Sequence, residues 1–318
     1  MTLRLGTRGS ALALAQSSLV AAAVTDKTGR EVELVEIVTA GDRSTAPIPT
    51  IGVGVFVSAL RDALLGNEID IAVHSYKDLP TTQPDGLVIV AVPLREDPRD
   101  ALVAAGGRTL NELGAGARIG TGSLRRIAQL GALGRRFEPV PIRGNVDTRL
   151  AKVAGGEVDA VVLAQAGLAR LGRADEATEI LDPMLMLPAP AQGALAVECR
   201  DDDVELCELL AALDDVTTRA AVTAERALLS TLEAGCSAPV AALAEVAEGD
   251  TGPEIYLRGA VFSPDGTFAV RLSRTGTPAS DDRDALLATA AETGRLLAAD
   301  LLAEGAETVL GEPHDPQP

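Results

Sequence analysis

In the stretch GTGSLRRIAQL, residues 120–130, Arg125 and Arg126 fall in the first turn of what reads as a helix. A helix N-terminus already carries partial positive charge from its unpaired N–H groups, so two guanidiniums there call for an anion. The turn before them supplies Gly120 and Gly122, which let backbone N–H groups approach an oxyanion, and hydroxyls from Thr121 and Ser123. LGTRGS, residues 5–10, repeats the design and places Arg8 and Ser10 after another apolar run. PIRGNVDTRL adds Arg143, Gly144 and Arg149, and AGLARLG adds Arg170. Arginine grips carboxylate or phosphate through a planar fork. Each turn alone also fits an ordinary capped helix with solvated arginines; their repetition favours a shared ligand with several carboxylates.

A different chemistry is available in HSYKDLP, residues 74–80, after the apolar run IDIAV. Ser75, Lys77 and Asp78 occupy a turn that Pro80 ends, and with 25 arginines against three lysines in the chain, Lys77 stands out. One reading is a solvated ion pair, worth about 0–1 kcal/mol. The other makes Asp78 an acceptor for ligand N–H groups and a stabiliser of a transient cation. His74 reads as a local hydrogen-bonding residue. Of the cysteines, Cys199 and Cys207 (on a stripe with Val204, Leu210 and Ala211) read as core. Cys236, in the loop EAGCSAP, reads either as structural or as an exposed thiol fit for nucleophilic or attachment chemistry. No cluster has metal-ligand spacing, so no metal is expected, and three cysteines suit a reducing cytoplasm better than a disulfide framework.

The elements that must position these residues alternate. Strand-length apolar runs lie at 3–6, 32–38, 69–73, 87–92, 118–121, 138–142, 159–163 and 194–198, with helical patterns at 10–24, 55–65, 124–133 and 146–154. This is α/β organisation. Proline-rich breaks at 93–98 and 188–192 bracket a block of domain size, so the chain leaves one domain, builds a second and returns, which makes a hinge and a ligand cleft between them. The expected division is domain one at 1–93 with 194–213, domain two at 99–187, a smaller α+β domain three at 216–306, and a frayed tail, 307–318, with His314 solvated. Domain three is read as a helix at 217–232, strands at 239–246, 255–262 and 268–273, and a helix at 280–304. No internal repeat is visible.

Across 318 residues the net charge is −18, which disfavours nucleic acid and anionic membrane as partners. The charge is uneven: residues 200–318 carry 23 acidic against 8 basic side chains, whereas residues 118–149 carry seven arginines against Glu138 and Asp147. MTLRLGTRGS lacks the pattern of a secretory signal, and no run of 18 apolar residues suggests a membrane span. A small anion receptor remains a competing reading; a phosphate-handling enzyme is disfavoured because no P-loop spacing occurs.

Eight segments in order, TRGSALALAQ, AVHSYKDLPT, REDPRDALV, IGTGSLRRIAQL, IRGNVDTRL, LAQAGLARLG, PAPAQGALAVECR and ERALLSTLEAGCSAP, resemble the hydroxymethylbilane synthase (porphobilinogen deaminase) family over roughly residues 3 to 240. The resemblance implies two hinged, periplasmic-binding-protein-like α/β domains plus a smaller α+β C-terminal domain. It implies a monomeric cytoplasmic transferase of tetrapyrrole and heme biosynthesis that joins four porphobilinogen molecules head to tail, releasing ammonia, to give linear hydroxymethylbilane. By motif, Cys236 would hold a covalent dipyrromethane cofactor, with Ser75, Lys77, Thr121, Ser123, Arg125, Arg126, Arg143 and Gly144 binding it. Asp78 would be the catalytic carboxylate, and Arg8, Ser10, Phe56, Arg149, Arg170 and Gln192 would contact substrate. The chain departs from the family pattern at Gly122, where serine is common, at Tyr76, where methionine is common, and in 44–53, which lacks the family's lysines.

Overall fold

Three sheets form from the apolar runs, and the arrangement of their strands decides which loops meet. The computed structural model of the chain describes residues 2–37, 55–232, 239–249 and 252–310. In chain order come β1 (Leu3–Thr7), α1 (Ala11–Thr28), β2 (Val32–Glu36), α2 (Val55–Leu65), β3 (Ile71–Ser75) and β4 (Leu87–Ala91). There follow β5 (Asp100–Ala104), β6 (Arg118–Gly120), α3 (Leu124–Ala132), β7 (Glu138–Val140), α4 (Val146–Ala154), β8 (Ala160–Ala164), α5 (Gln165–Arg170) and β9 (Glu179–Ile180). The chain continues with β10 (Leu195–Arg200), α6 (Val204–Leu210), α7 (Val216–Thr231), β11 (Val240–Gly249), β12 (Gly252–Phe262), β13 (Ala269–Gly276), α8 (Arg283–Ala303) and α9 (Glu307–Leu310). It divides into two compact units, Met1–Glu96 with Gly193–Arg219, and Asp97–Gln192 with Ala220–Pro318.

Unit one holds a five-stranded sheet in the order β2-β1-β3-β10-β4. β1 runs parallel to β2 and β3, and β10 runs antiparallel to β3 and β4. Both faces are covered, and strand alternation sorts the residues. Ile71 and Val73 join Leu5, Val20, Val24 and Val197 in one core, while Ala72 packs on the other side with Leu60, Leu64 and Ile69. α1 starts where the Ser10 hydroxyl accepts the Ala13 N–H at 3.3 Å.

Unit two contains a sheet in the order β7-β6-β8-β5-β9. Here β6 is parallel to β7 and β8, and β5 is antiparallel to β8 and β9. Its plan repeats that of unit one: a first strand flanked by the second and third, then one antiparallel strand, then the edge. The repeat resides chiefly in topology; in the sequence it leaves only the similar turns LGTRGS and IGTGS at the ends of the equivalent strands β1 and β6. β5 and β9 are absent from the expected strands. DALVA opens on a charged residue just after Pro98, which disguises a strand buried along its whole length.

The C-terminal part of unit two is an antiparallel sheet, β11-β12-β13, with helices on one face. Val240, Ala242, Ala244 and Leu257 face Leu228, Leu297 and Leu301. The alternate residues Ala241 and Leu243, with Ala260 and Phe262, pack instead on Ala128 of α3 and on Leu187. Contact with α3 is close: a Cβ on Gly131 would lie 2.4 Å from the Asp265 carbonyl oxygen in the β12–β13 turn. The helix that carries the arginine pair is therefore seated directly on this sheet.

Most expected elements are present with ends moved by one to four residues. β3 begins two residues later than expected, so His74 and Ser75 belong to the strand and not to the loop after it. Cys199 is buried as expected, but Cys207 is only half-buried and Val204 is exposed; Leu206 and Leu210 form the buried stripe of α6. Among the described residues no helix is long and apolar enough to cross a membrane, and no group of acidic, histidine or cysteine side chains is arranged to hold a metal ion.

Candidate functional site

In unit one, β1 and β3 are parallel neighbours, so Arg8 and Ser10 follow one strand, and Ser75, Lys77 and Asp78 complete or follow the other, at the same sheet edge. Tyr76, Lys77 and Asp78 form a single 3-10 turn, closed by the Leu79 N–H donating to the Tyr76 carbonyl at 3.2 Å. Leu79 is buried against Val57 and Ala196, which anchors the turn and leaves Asp78 exposed. Asp78 makes no ion pair or side-chain hydrogen bond with another described residue. The Ser75 hydroxyl exchanges hydrogen bonds with the buried Gln16 side chain, at 2.9 and 3.3 Å. Ser10 uses its hydroxyl to cap α1.

Beneath this turn lies a buried acid that sequence reading passed over. Glu198 on β10 is fully buried, receives Arg61 at 2.8 Å and Gln83 at 3.0 Å, and lies 3.0 Å from His74 Nε2. His74, read from the sequence as bonding locally, makes this bond to a residue distant in sequence. Burial by itself would raise the Glu198 carboxyl, but hydrogen bonds from His74 and Arg61 outweigh it and hold the group to about 2, against an ordinary value of 4.5. A depressed carboxylate stabilises the fold fully above its unfolded value and loses that contribution as pH falls through its folded one. Glu198→Gln is thus expected to flatten the drop in melting temperature between pH 4.5 and pH 2; an acid limb of unchanged slope would contradict this.

In unit two, β6, β7 and β8 point their C-terminal ends the same way, and the antiparallel β5 starts there, with Asp100 opposite Ala164. Thr121 to Arg126, Arg143 to Arg149 and Gln165 therefore emerge at one edge; Arg170 ends α5, farther along. Arg125 and Arg126 are almost completely buried. Their forks close on Asp100: Arg125 Nη2 donates to Oδ2 at 2.8 Å, and Arg126 Nη2 to Oδ1 at 2.7 Å. Arg125 also reaches the Leu187 carbonyl at 2.6 Å, and Arg126 the Val162 carbonyl at 2.9 Å. Part of the anion that the sequence demanded is thus internal. The spacing of the arginines does not point to Asp100; the signal that marks it is an aspartate opening a run of apolar strand residues.

One carboxylate does not balance this edge. Burial would raise the Asp100 carboxyl, but the Arg125 and Arg126 charges win and keep it well below the usual carboxylate range. Burial lowers Arg125, with Asp100 opposing, and its Nε is buried with no hydrogen-bond partner among the described residues. Arg149 donates Nε to the Gly144 carbonyl at 2.9 Å and has no acidic partner among the described residues; burial and the Arg126 charge both lower it. Gly144 adopts φ +100°, and a Cβ there would meet Thr148 at 2.8 Å. The first turn of α3 is also free of a side-chain cap: Ser123 makes no cap bond, whereas Ser10, Asn145, Asp203 and Asp282 cap α1, α4, α6 and α8. Excess guanidinium, an orphan donor and an uncapped helix end together fit carboxylates from outside the chain.

The buried Thr121 hydroxyl accepts the Ser123 N–H at 3.2 Å. Gln192, expected at the substrate, is instead fully buried and donates to Asp100 Oδ1 and the Pro98 carbonyl, both at 2.8 Å. Arg143 is exposed at the turn before α4. Cys236, the 44–53 loop, the Phe56 side chain and His314 lie outside the described residues.

Two open sheets of one repeated plan, with cationic side chains at their strand ends, define an α/β protein whose site suits anionic ligands. Residues 3–208 match the family model for the dipyrromethane cofactor-binding domain of porphobilinogen deaminase, and residues 219–303 match that for its C-terminal domain. The chain belongs to the porphobilinogen deaminase family. It is 58% identical over 316 residues to porphobilinogen deaminase 1 of Streptomyces coelicolor, covering 98% of each chain. To porphobilinogen deaminase of Mycobacterium marinum it is 54% identical, covering 99% of each. Among solved structures it is similar to the methionine-binding protein MetQ, with a TM-score of 0.44 and 14% identity over 67% of this chain and 89% of that one.

Proposed function

We propose that this chain is a transferase that condenses four porphobilinogen molecules head to tail, with loss of ammonia, into linear hydroxymethylbilane. The observation that carries the proposal is an excess of guanidinium over carboxylate: Arg125 and Arg126 share the single acid Asp100, and Arg149 near Arg126 has no acidic partner among the described residues. Every pyrrole unit of substrate and product brings two carboxylates. Cys236 would hold the dipyrromethane cofactor through a thioether, and the group when bound would supply a free pyrrole carbon as the acceptor for condensation. Arg125, Arg126 and Arg143, with Thr121, Ser123, Gly144, Ser75 and Lys77, would hold it, the arginines by its carboxylates. Arg8, Arg149 and Arg170 bind the carboxylates of incoming porphobilinogen, with Ser10 and Phe56 beside them.

Asp78 accepts the pyrrole N–H of the substrate and stabilises the positive charge that spreads over that ring as ammonia leaves. Its exposed position, with no other described side chain engaging it, supports this role. The proposed domain division is 1–93 with 194–213, 99–187 and 216–306; a hydrophobic cluster centred in each supports it, with one further cluster joining the second and third. The proposal includes a monomer in the cytoplasm, where free thiols at Cys199 and Cys207 are at home.

Purified protein given porphobilinogen should release ammonia and form hydroxymethylbilane; binding without ammonia release would leave an anion receptor. Arg149→Leu is expected to raise KM for porphobilinogen by about 10- to 100-fold, the worth of hydrogen bonds to a charged group, with a smaller change in kcat. An unchanged KM would remove Arg149 from the substrate site.

A further inference from the structure

We infer that Glu225 of α7 is a positioning residue for the arginine pair, acting through the backbone turn that carries Gln192 to Asp100. Glu225 is fully buried, and its two carboxylate oxygens accept two backbone N–H groups, Ala191 at 2.5 Å and Ala244 at 2.8 Å. Ala244 lies on β11, the strand whose Ala241 and Leu243 pack against Ala128 of α3. Ala191 is the third residue of the tight turn Ala189–Gln192, closed by the Gln192 N–H donating to the Ala189 carbonyl at 3.0 Å. Its φ is +61° although it is fully buried and carries a Cβ. That place in a turn suits glycine, and an alanine keeps the left-handed conformation only where its surroundings fix it. The Glu225 carboxylate, holding the Ala191 N–H, is such a constraint.

The next residue transmits the effect. Gln192 Nε2 donates to Asp100 Oδ1 at 2.8 Å, the same oxygen that takes Arg126 Nη2 at 2.7 Å and Nε at 3.2 Å. With Asp100 Oδ2 committed to Arg125, the Gln192 amide fixes the rotation of the carboxylate and so the direction of both forks. Glu225 thus reaches the arginines in four steps, through Ala191, Gln192 and Asp100, each a hydrogen bond or an adjacent residue. That these arginines bind ligand carboxylates rests on the function proposed above.

The tests compare holoprotein with Glu225→Gln, with Gln192→Leu, and with the double variant Glu225→Gln/Ala191→Gly. An amide at 225 can accept only one of the two N–H groups well. Both single variants are expected to speed amide hydrogen exchange in the peptide spanning 120–132 and to raise KM for porphobilinogen by roughly tenfold, with kcat much less affected. Glycine at 191 needs no clamp to stay left-handed, so the double variant should recover most of the lost KM and protection. Faster exchange confined to 189–193, with 120–132 and KM unmoved, would overturn the inference, as would failure of Ala191→Gly to rescue. Gln192→Leu decides the matter should Glu225→Gln not fold. If the parent protein does not consume porphobilinogen, the function fails, and the exchange comparison still judges the relay.

Discussion

Asp78→Ala is expected to keep the fold and the covalent cofactor and to lose turnover by about 100- to 1,000-fold or more, as when a group that stabilises developing charge is removed. Structure is spared because Asp78 is exposed and engages no other described side chain. Its turn is held by buried Leu79 and by the Leu79 N–H bond to Tyr76, both independent of the carboxylate. Turnover suffers because no other described acid follows β3 at that edge. Steady-state kinetics beside a thermal melt check both halves. Normal activity would take the carboxylate out of the mechanism, and a collapsed melting temperature would make its role structural.

Asp100→Ala should act in the opposite way, through stability first. It would leave two almost completely buried guanidiniums facing each other without their shared carboxylate. Breaking a buried pair by removing one partner costs about 3–5 kcal/mol, a large part of the about 5–15 kcal/mol that holds a typical domain together. Gln192 Nε2 would lose one of its acceptors as well. Urea unfolding should therefore show a markedly lower midpoint, and surviving folded protein should carry less cofactor because the arginine forks are no longer aimed. Asp100→Asn, which keeps the shape but not the charge, should fall between parent and alanine variant. A midpoint equal to that of the parent would show that the arginines are balanced in some other way.

Legibility in the sequence followed the length of each signal. α2 and α4 were visible with both ends because their apolar spacing is regular and their borders are turn residues. β5 was not, because a strand buried throughout gives no alternation, and its first residue is the aspartate that the arginines require. The same blindness extends to every buried acid that proved to organise the frame. Glu198 sits in the run ALAVEC and Glu225 in a helix of mixed polarity, where local pattern reports solvent exposure by default. Their partners, His74 and Arg61 for one and the Ala191 and Ala244 N–H groups for the other, lie far away in sequence. Arg8 and Arg143 stand out in the sequence because each follows a strand in a Gly or hydroxyl turn, and Arg125 and Arg126 because such a turn opens their helix, whereas Arg149 and Arg170 lie on helices. What spacing could not convey was that Arg125 and Arg126 share an internal carboxylate, Asp100.

Intact-mass spectrometry of the purified protein, before and after a brief exposure to porphobilinogen, tests most directly whether these arginines serve a tethered chain of pyrroles. The account predicts a resting mass above that of the bare chain by one dipyrromethane, located to Cys236 and absent from Cys236→Ser, and then a ladder of added single pyrrole units. A bare-chain mass that porphobilinogen leaves unchanged would contradict it.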